Sequence, residues 1–165
     1  MNVESIEKSL AEHPFVRNLS PAYVHFLSGC TKNVRFAPGD YLVREGEPAN
    51  QLILMRSGSV ALEINVPTRG PIQIETLEPG DVLGWSVALT PYKWHLDARA
   101  LTSTLVFSVD GVCLRNKLEA DHSFGLAMTR LLLGAAHERL MRARLPSERP
   151  NRRAMLATVS PSTTR

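Results

Sequence analysis

Between Thr31 and Val109 no apolar run extends far before a glycine or proline interrupts it. Ala37-Pro38-Gly39-Asp40, Glu45-Gly46-Glu47-Pro48, Ser57-Gly58, Pro67-Thr68-Arg69-Gly70-Pro71 and Glu78-Pro79-Gly80-Asp81 are turn sequences. In them proline presets φ and glycine admits a positive φ, so the chain reverses at each. The intervals are too short for ordinary helices and the right length for strands. Val34–Phe36, Tyr41–Val43, Gln51–Arg56, Val60–Val66, Ile72–Leu77 and Leu105–Val109 are the predicted strands. Val60, Leu62 and Ile64 alternate with Ala61, Glu63 and Asn65, and Ile72, Ile74 and Thr76 with Gln73 and Glu75, the period of a half-buried strand. Many short strands at regular spacing specify a mainly β fold, a sandwich or barrel with flanking helices, rather than a parallel sheet.

Helical patterns bracket this region. Residues 1–12 form an N-terminal helical lead, and Ser20-Pro21 restarts a helix with serine as N-cap and proline at its first position. Residues 13–120 make up the β-roll with its entry helices. Asp121 then opens a long helix to Leu145, whose apolar band is wider than one core contact needs. A stripe through Met128, Leu132, Ala136 and Leu140 is the expected interface of a two-fold homodimer. Pro146 stops the helix, and residues 146–165 read as a basic, disordered tail.

The totals exclude several classes. A chain of 165 residues with net charge +3 suits one globular unit. The positive charge is concentrated between Arg130 and Arg153, where seven arginines face Glu138 and Glu148. Cys30 and Cys113 lack both a disulfide framework and metal spacing, so reduced thiols in a cytoplasmic protein are expected. The five histidines form no His-x-His pair, and no nucleophile motif such as Gly-x-Ser-x-Gly occurs, so neither a metal site nor an enzyme is expected. No run reaches the roughly 18 apolar residues of a membrane helix, and no secretion signal opens the chain. Asp97 and Arg99, two apart on one strand, are expected to form a surface ion pair.

The segment Gly84 to Leu101 has the outline of an anion loop: a glycine, a short helical run, a turn containing Pro91 and a return strand. Free N–H groups at such a helix start attract phosphate. Taken together, Pro38-Gly39-Asp40, Glu45-Gly46-Glu47, Ser57-Gly58-Ser59-Val60, Leu77-x-Pro79-Gly80-Asp81 and Leu83-Gly84, followed by a long helix, resemble the cyclic-nucleotide-binding domain of the catabolite activator family, protein kinase A regulatory subunits and nucleotide-gated channels. The resemblance runs from about Pro14 to Leu145. It implies an eight-stranded jelly roll whose last helix is the hinge and dimer helix. It also implies ligand contacts at Gly84, Trp85, Ser86, Val87, Lys93, Trp94 and His95. The family's phosphate-binding cassette fits Gly84 to Leu101 without gaps, but its ribose-binding glutamate falls at Trp85 and its phosphate-binding arginine at Trp94. Hydrogen bonds to charged groups are worth about 1.5 to 3 kcal/mol each. Losing two such contacts would weaken cyclic nucleotide binding by about a hundredfold or more. Alternation sets Arg99 on the strand face opposite Trp94, which disfavours it as the replacement.

The expected function is therefore a non-enzymatic sensory or regulatory module with altered or weak cyclic nucleotide (cAMP or cGMP) binding, or with a related small ligand. It would be homodimeric and signal to an effector protein. The alternative is a ligand-independent scaffold with a filled pocket. Family transcription factors continue into a winged helix, and here 146–165 follow instead, so no sequence-specific DNA binding is expected.

Overall fold

The computed structural model describes residues 3–144. Two helices come first, α1 (Val3–Ala11) and α2 (Pro21–Gly29), the second capped by Ser20, whose hydroxyl accepts the Tyr23 N–H. Eight strands follow: β1 (Thr31–Phe36), β2 (Tyr41–Val43), β3 (Gln51–Ser57), β4 (Val60–Val66), β5 (Gly70–Leu77), β6 (Val82–Leu83), β7 (Asp97–Ala100) and β8 (Thr104–Asp110). A single 3-10 turn, Trp85–Ala88, separates β6 from β7. Helices α3 (Gly111–Ala120) and α4 (His122–Arg144) close the described chain. The expected tail, 146–165, lies outside the described residues.

The strands form two antiparallel four-stranded sheets, ordered β1-β8-β3-β6 and β2-β7-β4-β5. This is the eight-stranded jelly roll with flanking helices that the resemblance implies, and it fits the mainly β fold expected from the turn spacing. Between the sheets lies one core, containing Ile53, Met55, Val60, Leu62, Leu83, Trp94, Ala98, Ala100 and Val106. A second core fills the space between the first sheet and the helices, with Leu10, Leu27, Leu52, Leu54, Phe107, Leu114, Phe124, Met128 and Leu132. Strand β3 serves both, Ile53 and Met55 inward and Leu52 and Leu54 outward. That is why its sequence shows a continuous apolar run rather than alternation.

Three expectations need correction. Helix α3 was not foreseen; Asp110 caps it by accepting the Cys113 N–H at 2.8 Å. Reduced, separate thiols were expected, yet Cys30 and Cys113 are joined in a disulfide with a Cα separation of 6.2 Å. The cause is the register: β1 begins at Thr31 opposite Val109, so the last residue before β1 and the first turn after β8 are neighbours. Asp97 and Arg99 do not pair. Asp97 accepts the Glu45 N–H at 2.7 Å and stands 3.5 Å from Arg44 Nε, while Arg99 engages Glu63 on β4. Glu63 lies opposite Asp97 and Ala61 opposite Arg99, so the long Arg99 side chain reaches Glu63 along the diagonal between the strands, while Asp97 turns to Arg44 and the Glu45 N–H.

Among the described residues no helix is long and apolar enough to cross a membrane, and no group of His, Cys, Asp and Glu could hold a metal ion.

Candidate functional site

Gly84 ends β6 with φ +122° and caps the 3-10 turn, whose Val87 N–H donates to the Gly84 carbonyl at 2.9 Å. A β-carbon at Gly84 would stand 2.9 Å from the Gln51 carbonyl and 3.1 Å from Cη2 of Trp94. Glycine is thus required both by its dihedral and by the space the indole takes.

Trp94 is the central side chain of the segment. The Trp94 backbone N–H donates to the Glu47 carbonyl at 2.9 Å and the Trp94 carbonyl accepts the Gly46 N–H at 2.8 Å. These bonds fix the backbone so that alternate residues point inward: Trp94, Ala98 and Ala100 are buried, whereas Lys93 and His95 are exposed. Trp94 is only 4% exposed and belongs to the core between the sheets. The small residues Ala49, Ala98 and Ala100 in the same core leave the volume a large indole needs.

Trp85 points the other way. It packs on the helix-side core, and the guanidinium carbon of Arg139 from α4 lies 4.5 Å from its ring centroid. Arg139 Nε stands 2.9 Å from Glu75 Oε2 and its Nη2 donates to the Val82 carbonyl at 2.9 Å. Arg142 adds an ion pair to each of Glu75 and Asp81. Burial pushes the Arg139 guanidinium below its usual pKa, and Glu75 opposes that shift. A stacked guanidinium on an indole is a favourable arrangement, worth about 0.5 to 2 kcal/mol.

The expected ligand residues are thus divided. Gly84, Ser86, Val87 and Trp94 are buried, Trp85 is half-buried beneath Arg139, and Lys93 and His95 face outward. Arg99 lies on the outer face as alternation requires and is taken by Glu63.

Two residues that shape this segment were missed by sequence reasoning. Arg115 of α3 donates to the Val87 carbonyl at 3.1 Å and to the Ala49 carbonyl at 3.3 Å, and its guanidinium lies 4.7 Å from the ring centroid of Tyr92. Arg139 is the other. It continues the core-facing stripe of Phe124, Met128, Leu132 and Ala135, and a charged residue on such a stripe is a readable signal.

The predicted dimer stripe is also divided. Met128 and Leu132 are buried against the chain's own core, Ala136 is partly covered, and Leu140 is exposed. The uncovered line on α4 is Leu126, Leu133 and Leu140, exposed by 54%, 67% and 52%. Residues four apart advance by about 40° per step around a 3.6-residue helix, so the stripe begins on the inner face at Met128 and ends on the outer face at Leu140.

A profile of the cyclic nucleotide-binding domain family matches residues 33–121. Over 78 residues the chain is 31% identical to a cAMP-dependent protein kinase regulatory subunit from Hypocrea atroviridis, covering 47% of this chain and 16% of that relative. Solved structures that share the fold include three of different origin. A cyclic nucleotide-binding domain from Methylobacillus flagellatus superposes with TM-score 0.71 at 18% identity, covering 96% of this chain and 85% of that one. The sensor domain of the transcriptional regulator DNR from Pseudomonas aeruginosa gives 0.67 at 20% identity, covering 88% and 97%. The regulatory domain of Toxoplasma gondii PKA, solved with cAMP, gives 0.67 at 17% identity, covering 82% and 50%.

Proposed function

Because this chain belongs to the cyclic nucleotide-binding domain family, we propose that it is a non-enzymatic regulatory module that keeps the family's barrel, fills the ligand cavity with its own Trp94, and acts through the outer face of α4. The observation that carries this reading is the burial of Trp94 against Gly84. A cyclic nucleotide needs an acceptor for the ribose hydroxyl and a cation for the phosphate. Trp85 and Trp94 supply neither, Arg99 is committed to Glu63, and Lys93 and His95 face away from the interior. The residues present do not fit that ligand.

The module pairs with a second copy of itself through Leu126, Leu133 and Leu140. Apolar side chains seven residues apart keep to one exposed line of the helix, and two copies of such a line can meet across a two-fold axis. An effector protein would then read the paired helices.

Calorimetric titration and thermal melts with cyclic AMP and cyclic GMP test the reading. No heat and no change in melting midpoint are expected up to millimolar ligand. Binding in the micromolar range would overturn it. The Trp94→Arg variant supplies the counterpart: cyclic AMP is expected to raise its melting midpoint, because a cation for the phosphate then stands where the indole filled the space between the sheets.

A further inference from the structure

The two cysteines lie at a junction. Cys30 follows α2, and its carbonyl accepts the Asp110 N–H at 2.8 Å. Cys113 lies in the first turn of α3. Their Cα separation of 6.2 Å falls within the range a disulfide spans. Both residues are half-buried and line an open groove of about 600 Å³ together with Lys32, Asn50, Gln51 and Asp110. A small thiol can reach sulfurs placed in a polar, open groove, which is not true of a disulfide enclosed in a core.

Helix α3 connects this groove to the Trp85–Ala88 turn. The Gly111 N–H donates to the Asn50 carbonyl at 2.8 Å, and a β-carbon at Gly111 would stand 2.7 Å from Val87 Cγ2. Arg115 holds the Val87 carbonyl from the next turn of the helix. A cross-link from α2 to α3 therefore restrains the turn that carries Trp85.

We propose that Cys30 and Cys113 form a thiol–disulfide exchange site for low-molecular-weight thiols, and that its state sets how firmly α3 and the Trp85–Ala88 turn are held to the N-terminal helices. In the opening direction a small thiolate attacks one sulfur, the S–S bond breaks, and a mixed disulfide forms as the other cysteine leaves as a thiolate. A second small thiolate attacks the mixed disulfide, releasing the small disulfide and the second cysteine thiolate. Each cysteine then takes one of the protons the two small thiols gave up. Two electrons pass to the protein, and two thiols are oxidised to one disulfide. Closing is the reverse, with the small disulfide as oxidant.

The full chain equilibrated in reduced and oxidised glutathione at set ratios, then alkylated and weighed, tests the proposal. One transition between zero and two alkylated cysteines is expected within the range these buffers cover. On reduction, hydrogen exchange of residues 84–90 and 111–120 should rise by about tenfold, the size of a modest loss of local stability. The melting midpoint should fall by about 10 °C for a loop of this length. Alkylation at every ratio, or at none, would overturn the exchange site. Exchange at 84–90 unchanged by reduction would overturn the coupling. Cys113→Ser should show the higher hydrogen-exchange rate at residues 84–90 in every buffer, and a variant whose hydrogen exchange there still slows at oxidising ratios would also sink the proposal.

Discussion

Arg139 stacks on Trp85 while its Nε faces Glu75 across 2.9 Å, so one side chain of α4 grips both the cassette turn and strand β5. Both charged groups of that pair are mostly covered, Arg139 being 14% exposed and Glu75 19%. Removing Arg139 from this largely desolvated pair leaves Glu75 with the half-exposed Arg142, 3.2 Å away, as its remaining countercharge among the described residues. Arg139→Met is expected to cost about 3 kcal/mol in urea unfolding. Adding Glu75→Leu should recover part of that loss. Equal, additive losses from the two substitutions would show that the pair is not coupled.

Gly84→Ala tests the inner side of the same segment. A β-carbon there meets a backbone oxygen at 2.9 Å and is joined to a backbone at φ +122°, so neither space nor dihedral can adjust cheaply. A loss of about 2 to 4 kcal/mol is expected from strain and displaced packing. Chemical denaturation measures it. Pairing the substitution with Trp94→Leu relieves the contact with the indole but not that with the Gln51 carbonyl, so only partial recovery is expected.

His13 gives the fold a pH dependence. Its Nε2–H donates to the Met55 carbonyl at 2.9 Å, and its Nδ1 accepts the Phe15 N–H at 3.2 Å, so the buried ring is neutral. Burial, the largest effect, pushes this imidazole below its ordinary value of 6.5, and the hydrogen bond to Met55 partly opposes that shift. The unfolded chain therefore takes up a proton near pH 6.5 that the folded chain refuses until a lower pH. The stabilisation from this group is full above pH 6.5 and declines as the pH falls through and below it, with a limiting slope of about 1.4 kcal/mol per pH unit. Unfolding curves between pH 7.5 and 5 check this, and His13→Gln should flatten the slope over that interval.

The two faces of α4 are separable by substitution. Leu133→Glu places a charge on the exposed line and is expected to convert a dimer to a monomer in sedimentation while leaving the melting of the barrel nearly unchanged. Leu132→Ala, one position along, should lower stability by about 2 to 4 kcal/mol through lost core packing and leave the sedimentation coefficient of the folded protein unaltered. A monomer at all accessible concentrations for the unmodified chain would overturn the proposed pairing.

Much of the barrel was legible because its signals are local. The turns centred on Gly39 and Gly80 do take positive φ, and the alternation of Val60, Leu62 and Ile64 does mark the inner face at Val60 and Leu62. Alternation likewise set Arg99 opposite Trp94. What was not legible depends on pairings across many residues. Nothing near Cys30 or Cys113 reveals that β1 and β8 lie side by side, and the choice of Glu63 as partner for Arg99 depends on a sheet register. The division of the α4 stripe between two faces was hidden for a different reason. Its apolar residues encircle the helix, so the sequence offers two faces of similar character, and only the seven-residue spacing of Leu126, Leu133 and Leu140 distinguishes the uncovered one.

The opposed orientation of the two indoles also makes the protein its own pair of optical reporters. Trp94 sits among aliphatic side chains between the sheets, whereas Trp85 lies half-exposed under a cation at the junction with α4. Their emission spectra should separate, with the inner indole blue-shifted and shielded from aqueous quenchers and the outer one accessible to them. A change confined to the outer signal would record movement of the helix, and a change in the inner one the opening of the barrel itself.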